Sequence, residues 1–132
     1  MSGESILIIE DNPTNLKLEK LLLSIEGYEI KTAIDAEQAL NILKTFRPKL
    51  ILMDIQLPGK NGLELTRELK SNPDHKYIII VALTSYAMKG DEEKAKAAGC
   101  DGYMTKPISV AQFPAMIAQY LQMQIAIPHL DG

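Results

Sequence analysis

The chain has 132 residues, 46% hydrophobic and 23% charged, with a formal net charge of −3. A length of this order makes one domain, with a core large enough to be self-sufficient. The acidic balance speaks against nucleic acid, because phosphate contacts need clustered Lys and Arg, whereas Lys17, Lys44, Lys60 and Lys96 are scattered over separate segments.

In chain order, the first apolar run, Ser5–Ile9, reads as a strand. Asn12 and Pro13 supply an N-cap and a first helical position. Leu18, Leu21, Leu22 and Ile25 then recur at helical spacing, and Gly27 suits the position just past the helix end. Tyr28–Thr32 alternates apolar with charged residues, as an edge strand does. Asp35 with Gln38 has the form of a capping box, opening a helix that carries Ala39, Leu40 and Leu43 and closes before Pro48. Leu50–Met53 is a buried strand, and the loop Gln56–Asn61 after it carries Pro58 and Gly59. Leu65 and Leu69 mark a helix that Asn72-Pro73-Asp74 breaks. Tyr77–Leu83 is an apolar run suited to the sheet centre, a helix with Glu93, Lys94 and Lys96 runs up to Gly99, and Gly102–Met104 is a short strand. Ser109 with Gln112 is a second capping box, opening a helix with Phe113, Met116, Ile117, Tyr120 and Leu121. From Gln124 onward there is no periodicity, so the chain divides into a domain over 1–123 and a tail over 124–132 that is expected to fray.

Strands alternating with helices imply an α/β fold with a parallel sheet and right-handed crossovers. In such sheets ligands sit beyond the carboxyl ends of the strands. Those ends carry Glu10 and Asp11 after the first strand, Asp54 at the third, Thr84 at the fourth and Lys106 beyond the fifth. Taken singly, each is an ordinary cap, turn or solvated charge. Five polar groups on one rim weaken those readings.

Crowded carboxylates repel: two unit charges about 4 Å apart cost roughly 4 kcal/mol at an effective dielectric near 20. Such a cluster needs a counter-ion, and oxygen ligands without His or Cys select a hard cation such as Mg²⁺, not zinc. A carboxylate can also act as a nucleophile toward phosphorus. Asp54, on the middle strand, is then the nucleophile, and Glu10 and Asp11 the acidic pair of the metal. Lys106 and the Thr84 hydroxyl are left to contact phosphoryl oxygens.

The set Ile8-Ile9-Glu10-Asp11-Asn12, Leu52-Met53-Asp54, Pro58, Gly62, Leu83-Thr84 and Thr105-Lys106-Pro107 resembles the signature of response-regulator receiver domains. The likeness covers roughly Ser5 to Leu121, with intervals of 43, 30 and 22 residues between Asp11, Asp54, Thr84 and Lys106. It implies a flavodoxin-like (βα)5 doubly wound sandwich of strand order 2-1-3-4-5, with a phosphohistidine donor on a sensor histidine kinase or a histidine phosphotransfer protein. It further implies Asp54 as phosphoacceptor, the main-chain carbonyl of Gln56 as a metal ligand beside Glu10, Asp11 and Asp54, a cis Lys106-Pro107 bond, and Thr84 with Tyr103 as a switch pair. The switch would alter a face from Ala87 to Leu121 that a downstream protein reads. Lys60 departs from the family pattern, two residues before Gly62, where many members carry an apolar side chain. The stretches Met53–Pro58 and Ala87–Glu92 resemble stand-alone receivers of the bacterial cell-cycle and polarity type.

Other functions fit less well. A flavodoxin-like FMN site needs a loop of backbone N–H donors after the first strand, and here that loop is Glu10-Asp11-Asn12-Pro13. An aspartyl-phosphate phosphatase would carry a general acid two residues after the nucleophile, where this chain has Gln56. A phosphorylation-independent binding module would lack the chemical residues present here. The expectation is a switch without turnover of an external substrate, a monomer with no effector domain attached unless it is a receiver excised from a larger regulator. Cys100 is the only cysteine, so no internal disulfide forms; with no targeting segment and no apolar run near the roughly 20 residues of a membrane span, the cytoplasm is expected.

Overall fold

The computed structural model describes residues 3–57, 59–85 and 90–123. Pro58, Ala87 at the start of the expected output face, and the tail over 124–132 lie outside the described residues. Among the described residues the elements are β1 (Ser5–Ile9), α1 (Pro13–Ile25), β2 (Glu29–Ala33), α2 (Ala36–Ile42), β3 (Leu50–Asp54), α3 (Gly62–Ser71), β4 (Ile79–Thr84), α4 (Asp91–Ala98), β5 (Gly102–Thr105) and α5 (Phe113–Leu121). The strands form one parallel sheet in the order β2-β1-β3-β4-β5, with Asp54 opposite Leu83 and Thr84 opposite Thr105. β2 runs one residue later than its alternation suggests. β4 starts two residues late, because the Ile78 N–H closes a turn onto the His75 carbonyl before the Ile79 N–H joins the sheet at Lys49.

Side-chain alternation divides the core between the two sheet faces. Leu7, Ile9, Ile51, Met53, Ile80 and Ala82 pack with Ala36 and Ala39 of α2, Leu65 and Leu69 of α3, and Ala95 of α4. Ile6, Ile8, Leu50, Leu52, Val81 and Leu83 pack with Leu23 of α1 and with Phe113, Ile117 and Leu121 of α5. β3 and β4 are buried on both faces, whereas β2 is exposed at alternate positions, as an edge strand should be.

Two helices differ from their sequence patterns. α1 has leucines on every side, and the face it turns inward is Leu16, Glu19, Leu22 and Leu23, so the expected stripe is met at Leu22 but not at Leu21 or Ile25. Leu21 and Ile25 of that stripe are 56% and 70% exposed. The helix still starts on Asn12, whose side chain accepts from the Asn15 N–H, and Gly27 follows its C-cap at φ 89, a conformation natural to glycine. At α5, Ser109 Oγ does accept from the Gln112 N–H at 3.3 Å, but this closes a turn, and the helix begins at Phe113 with Pro114 in its first turn. At Asp35, the Gln38 side chain reaches back to the Ile34 N–H at 3.0 Å, one residue earlier than a capping box requires.

The amino ends of β4 and β5 are tied by one lysine. Lys70 Nζ, at the end of α3, donates to the carbonyls of Lys76 and Ile78 and to Asp101 Oδ2 at 3.2, 2.8 and 2.8 Å. Asp101 Oδ2 also accepts from the Ile80 N–H, and the Asp101 N–H returns a bond to the Ile80 carbonyl. Lys60 pairs with Glu68 on α3, so the residue that departs from the family pattern is accommodated as a surface charge.

Candidate phosphoacceptor site

Glu10 continues β1 beyond its last residue, because its N–H donates to the Ala33 carbonyl at 2.9 Å. Alternation after Ile6 and Ile8 sends its side chain to the α1/α5 face of the sheet, where it is 1% exposed. The turn into α1 holds it: the Asn12 N–H donates to Glu10 Oε2 at 3.2 Å. Asp11, next in the chain, is exposed. Asp54 ends β3, is 4% exposed, and accepts the Gln56 N–H on Oδ1 at 2.9 Å. Lys106 reaches in from beyond β5, with Nζ 3.1 Å from Asp54 Oδ2 and 2.7 Å from Glu10 Oε1. The contact with Glu10 is a charge pair too poorly aligned to satisfy Oε1 as a hydrogen-bond acceptor. The Lys106 N–H donates to the Thr84 carbonyl at 2.8 Å, and the Lys106-Pro107 bond is cis.

Burial dominates the electrostatics. It raises the Asp54 carboxyl above its ordinary value; the Gln56 N–H and Lys106 work against this and Glu10 adds to it, leaving the net shift upward. Burial pulls the Lys106 ammonium down, but its close pairing with Glu10 and Asp54 outweighs it, and the group ends above its ordinary value. Carboxylate oxygens of Glu10, Asp11 and Asp54 lie within 4.8 Å of one another. Three hard oxygen donors with one lysine between two of them fit a divalent cation such as Mg²⁺.

Thr84 is buried at the end of β4, one strand from Asp54. Tyr103 lies opposite Ala82, so alternation puts Thr84 and Tyr103 on the same sheet face, two residues apart along the ladder. Tyr103 is half-buried; burial raises its phenol, and Asp91, Glu92 and Glu93 in the first turn of α4 raise it further. The Gln56 side chain accepts from the Ser85 N–H at 3.3 Å, joining the loops after β3 and β4.

One residue of this neighbourhood has no place in the sequence reading. Glu19, on the inward face of α1, is 1% exposed, and its Oε1 has no hydrogen-bond partner among the described residues. Burial, then the charge of Glu10, push its carboxyl up to about 9. Its position between Leu16 and Leu23, at spacings of three and four, is the signal that places it inward.

The chain belongs to the response regulator receiver domain family, which it matches over residues 6–118. Proteins of this family are the phosphoacceptor domains of two-component signalling. It is 45% identical over 118 residues to the polar-differentiation response regulator DivK of Brucella anthropi, a match covering 89% of this chain and 96% of DivK. Among solved structures it is similar to the receiver domain of the sensor histidine kinase PA1611 from Pseudomonas aeruginosa PAO1, whose active-site cleft coordinates magnesium. That likeness has a TM-score of 0.83 at 32% identity, over 92% of this chain and all of the other. The Mn²⁺-bound response regulator Rcp1 is similar with a TM-score of 0.81 at 27% identity, over 95% of this chain and 99% of Rcp1. Among the described residues no helix is long and apolar enough to cross a membrane.

Proposed function

We propose that Asp54 is the phosphoacceptor of this receiver, and that Glu10, Asp11, Asp54 and the main-chain carbonyl of Gln56 hold Mg²⁺. The observation that carries this reading is the meeting at Asp54, on the central strand, of two further carboxylates and one ammonium group. A carboxylate oxygen of Asp54 attacks the phosphorus of a phosphohistidine on a sensor histidine kinase or histidine phosphotransfer protein. The O–P bond forms as the P–N bond breaks, and the electron pair returns to the donor imidazole. Lys106 neutralises one phosphoryl oxygen and the Thr84 hydroxyl donates to another. Mg²⁺, when bound, supplies charge neutralisation for the transferred group. The magnesium in the PA1611 receiver and the manganese in Rcp1 support the choice of a divalent cation.

Phosphorylation brings roughly 1.5–2 negative charges and three acceptor oxygens. Thr84 moves its hydroxyl toward them, and Tyr103, its diagonal neighbour on the same face, turns into the space released. The face from Ala87 to Leu121 changes with it and is read by a downstream protein. The chain works as a cytoplasmic monomer with its receiver over 1–123, without nucleic acid and without turnover of an external substrate.

Incubation with a small phosphodonor and Mg²⁺ is expected to add one phosphoryl mass to the parent and none to Asp54→Asn. Equal labelling of the variant overturns the assignment. With a beryllofluoride mimic, NMR shifts should run from Asp54 through Thr84 and Tyr103 to α4 and α5, and Thr84→Ala should confine them near Asp54. The same far-reaching shifts in that variant would remove Thr84 as the relay.

A further inference from the structure

We propose that the outer flank of α2 is a docking groove for a helix of a partner protein. That helix lies antiparallel to α2 and carries an acidic side chain in its first turn and a basic one two turns further on. The surface is distinct from the output face: α2 packs on β2 and β1 at one edge of the sheet, whereas α4 packs on β5 at the other.

Two depressions mark the groove. One, of about 500 Å³, opens between the start of α2 and the loop after β3, with Glu37, Leu40, Gly59 and Lys60 in its wall. The other, of about 370 Å³, runs along the helix past Asn41 to Lys44, and it shares Glu37 and Leu40 with the first. The helical period explains the layout. Ala36, Ala39 and Leu43 turn toward the sheet, while Glu37, Leu40, Asn41 and Lys44 follow one another at spacings that form a single stripe. Leu40 stands at the border, packed against the core and also lining the groove, so the floor is apolar. Glu37 and Lys44 are exposed, and among the described residues neither has an ion-pair partner. Seven residues apart, about 10 Å along the axis, they are too distant to pair with each other. Nearby charges are already answered: Lys60 pairs with Glu68, and Asp35 Oδ1 accepts the Gln38 N–H at 2.8 Å. The groove therefore offers a negative end, an apolar floor and a positive end. Its complement places a base at Glu37, an apolar side chain at Leu40 and an acid at Lys44. Helices favour acids in their first turn and bases in their last, so a helix that meets this order runs antiparallel to α2. Such helix-in-groove recognition uses the same spacings of three and four. A second copy carries the same order of charges on its own α2. Its chain, however, turns back into its core at Phe46 and would leave the cleft at Gly59 and Lys60 unfilled.

The probe is a capped, alanine-rich helical peptide of about 20 residues, long enough to hold a helix, with Glu, Leu and Lys at positions i, i+4 and i+7. A control peptide has the Glu and Lys exchanged. Both are titrated into the full chain at low salt, and backbone amide shifts are followed. The first peptide is expected to give saturable shifts from Glu37 to Lys44 and at Gly59, and to bind about fivefold more tightly than the control, the scale of two exposed charge pairs. High salt should remove most of that preference. In the double variant Glu37→Lys with Lys44→Glu the preference should invert. Equal binding of the two peptides, no saturable binding, or shifts centred on other helices overturns the proposal. Amide shifts at α2 that grow with protein concentration in the absence of peptide would give the groove to a second copy and overturn it as well.

Discussion

Lys106 pairs with two buried acids, Glu10 and Asp54, and its loss has a defined consequence. In Lys106→Met, Glu10 and Asp54 face each other with nothing between them, and the Asp54 carboxyl, already raised by burial, climbs further. Phosphorylation by a small phosphodonor should slow by about 10²-fold, the scale of losing one preorganised donor to a transferring group. A carboxyl carbon titration of Asp54 should show its midpoint moved upward; a downward move would mean that Lys106 is not its partner. At this scale the sequence was informative where chemistry stands at strand ends. Glu10, Asp54, Thr84 and Lys106 follow apolar runs whose direction is unambiguous. Glu19 stayed hidden because the leucines at 16, 18, 21, 22 and 23 allow several helix orientations, and only packing against the sheet and α5 selects one.

Among the elements, α3 starts where it does because of a close approach. A Cβ on Gly62 would lie 2.7 Å from the Ile55 Cα and 2.8 Å from the Asp54 carbonyl oxygen, both backbone atoms that cannot move aside cheaply. The helix N-terminus is thus pressed against the peptide that carries Asp54. Gly62→Ala should cost about 1–3 kcal/mol in urea unfolding, the usual penalty of overpacking. It should also slow labelling of Asp54, while Gly59→Ala, whose Cβ would meet nothing within 4 Å, should leave labelling alone apart from strain at its positive φ. A Gly62→Ala protein as stable as the parent would contradict the contact. Caps were legible in the same uneven way. Asn12 and Asp35 each accept the backbone N–H three residues on, a local interaction that the residue types announce. The Ser109 pattern misleads because Pro114 suits a helix starting at Phe113, a constraint stronger than one hydroxyl.

For the whole molecule, Glu19 predicts how stability depends on pH. Its carboxyl holds a proton in the folded, metal-free protein up to about 9, against 4.5 unfolded. Between those values the folded state binds the extra proton, so stability falls as pH rises through the window; the contribution is complete below 4.5 and gone above about 9. Asp54 shifts in the same direction, and Lys106 titrates above the window. Comparison with Glu19→Gln cancels both. In chelator, the parent should lose more stability than Glu19→Gln between mildly acidic and mildly alkaline buffer. Parallel profiles for the two proteins would show that Glu19 carries no raised carboxyl.

The knot at Lys70 turns β4 and β5 into a pair of cantilevers. Their amino ends are clamped through Asp101 and the carbonyls of Lys76 and Ile78, while Thr84 and Thr105 stand at the opposite tips. A beam fixed at one end deflects most at the other, so in the proposed switch a load applied by a phosphoryl group at Asp54 would fall at the ends farthest from this clamp. Amide exchange should therefore be graded along each beam. The Ile80 and Asp101 amides should be released only with global unfolding, and those near Thr84 and Thr105 by smaller openings. Cutting the clamp with Lys70→Met should flatten that gradient and let the load at Asp54 dissipate as slack before it reaches α4 and α5.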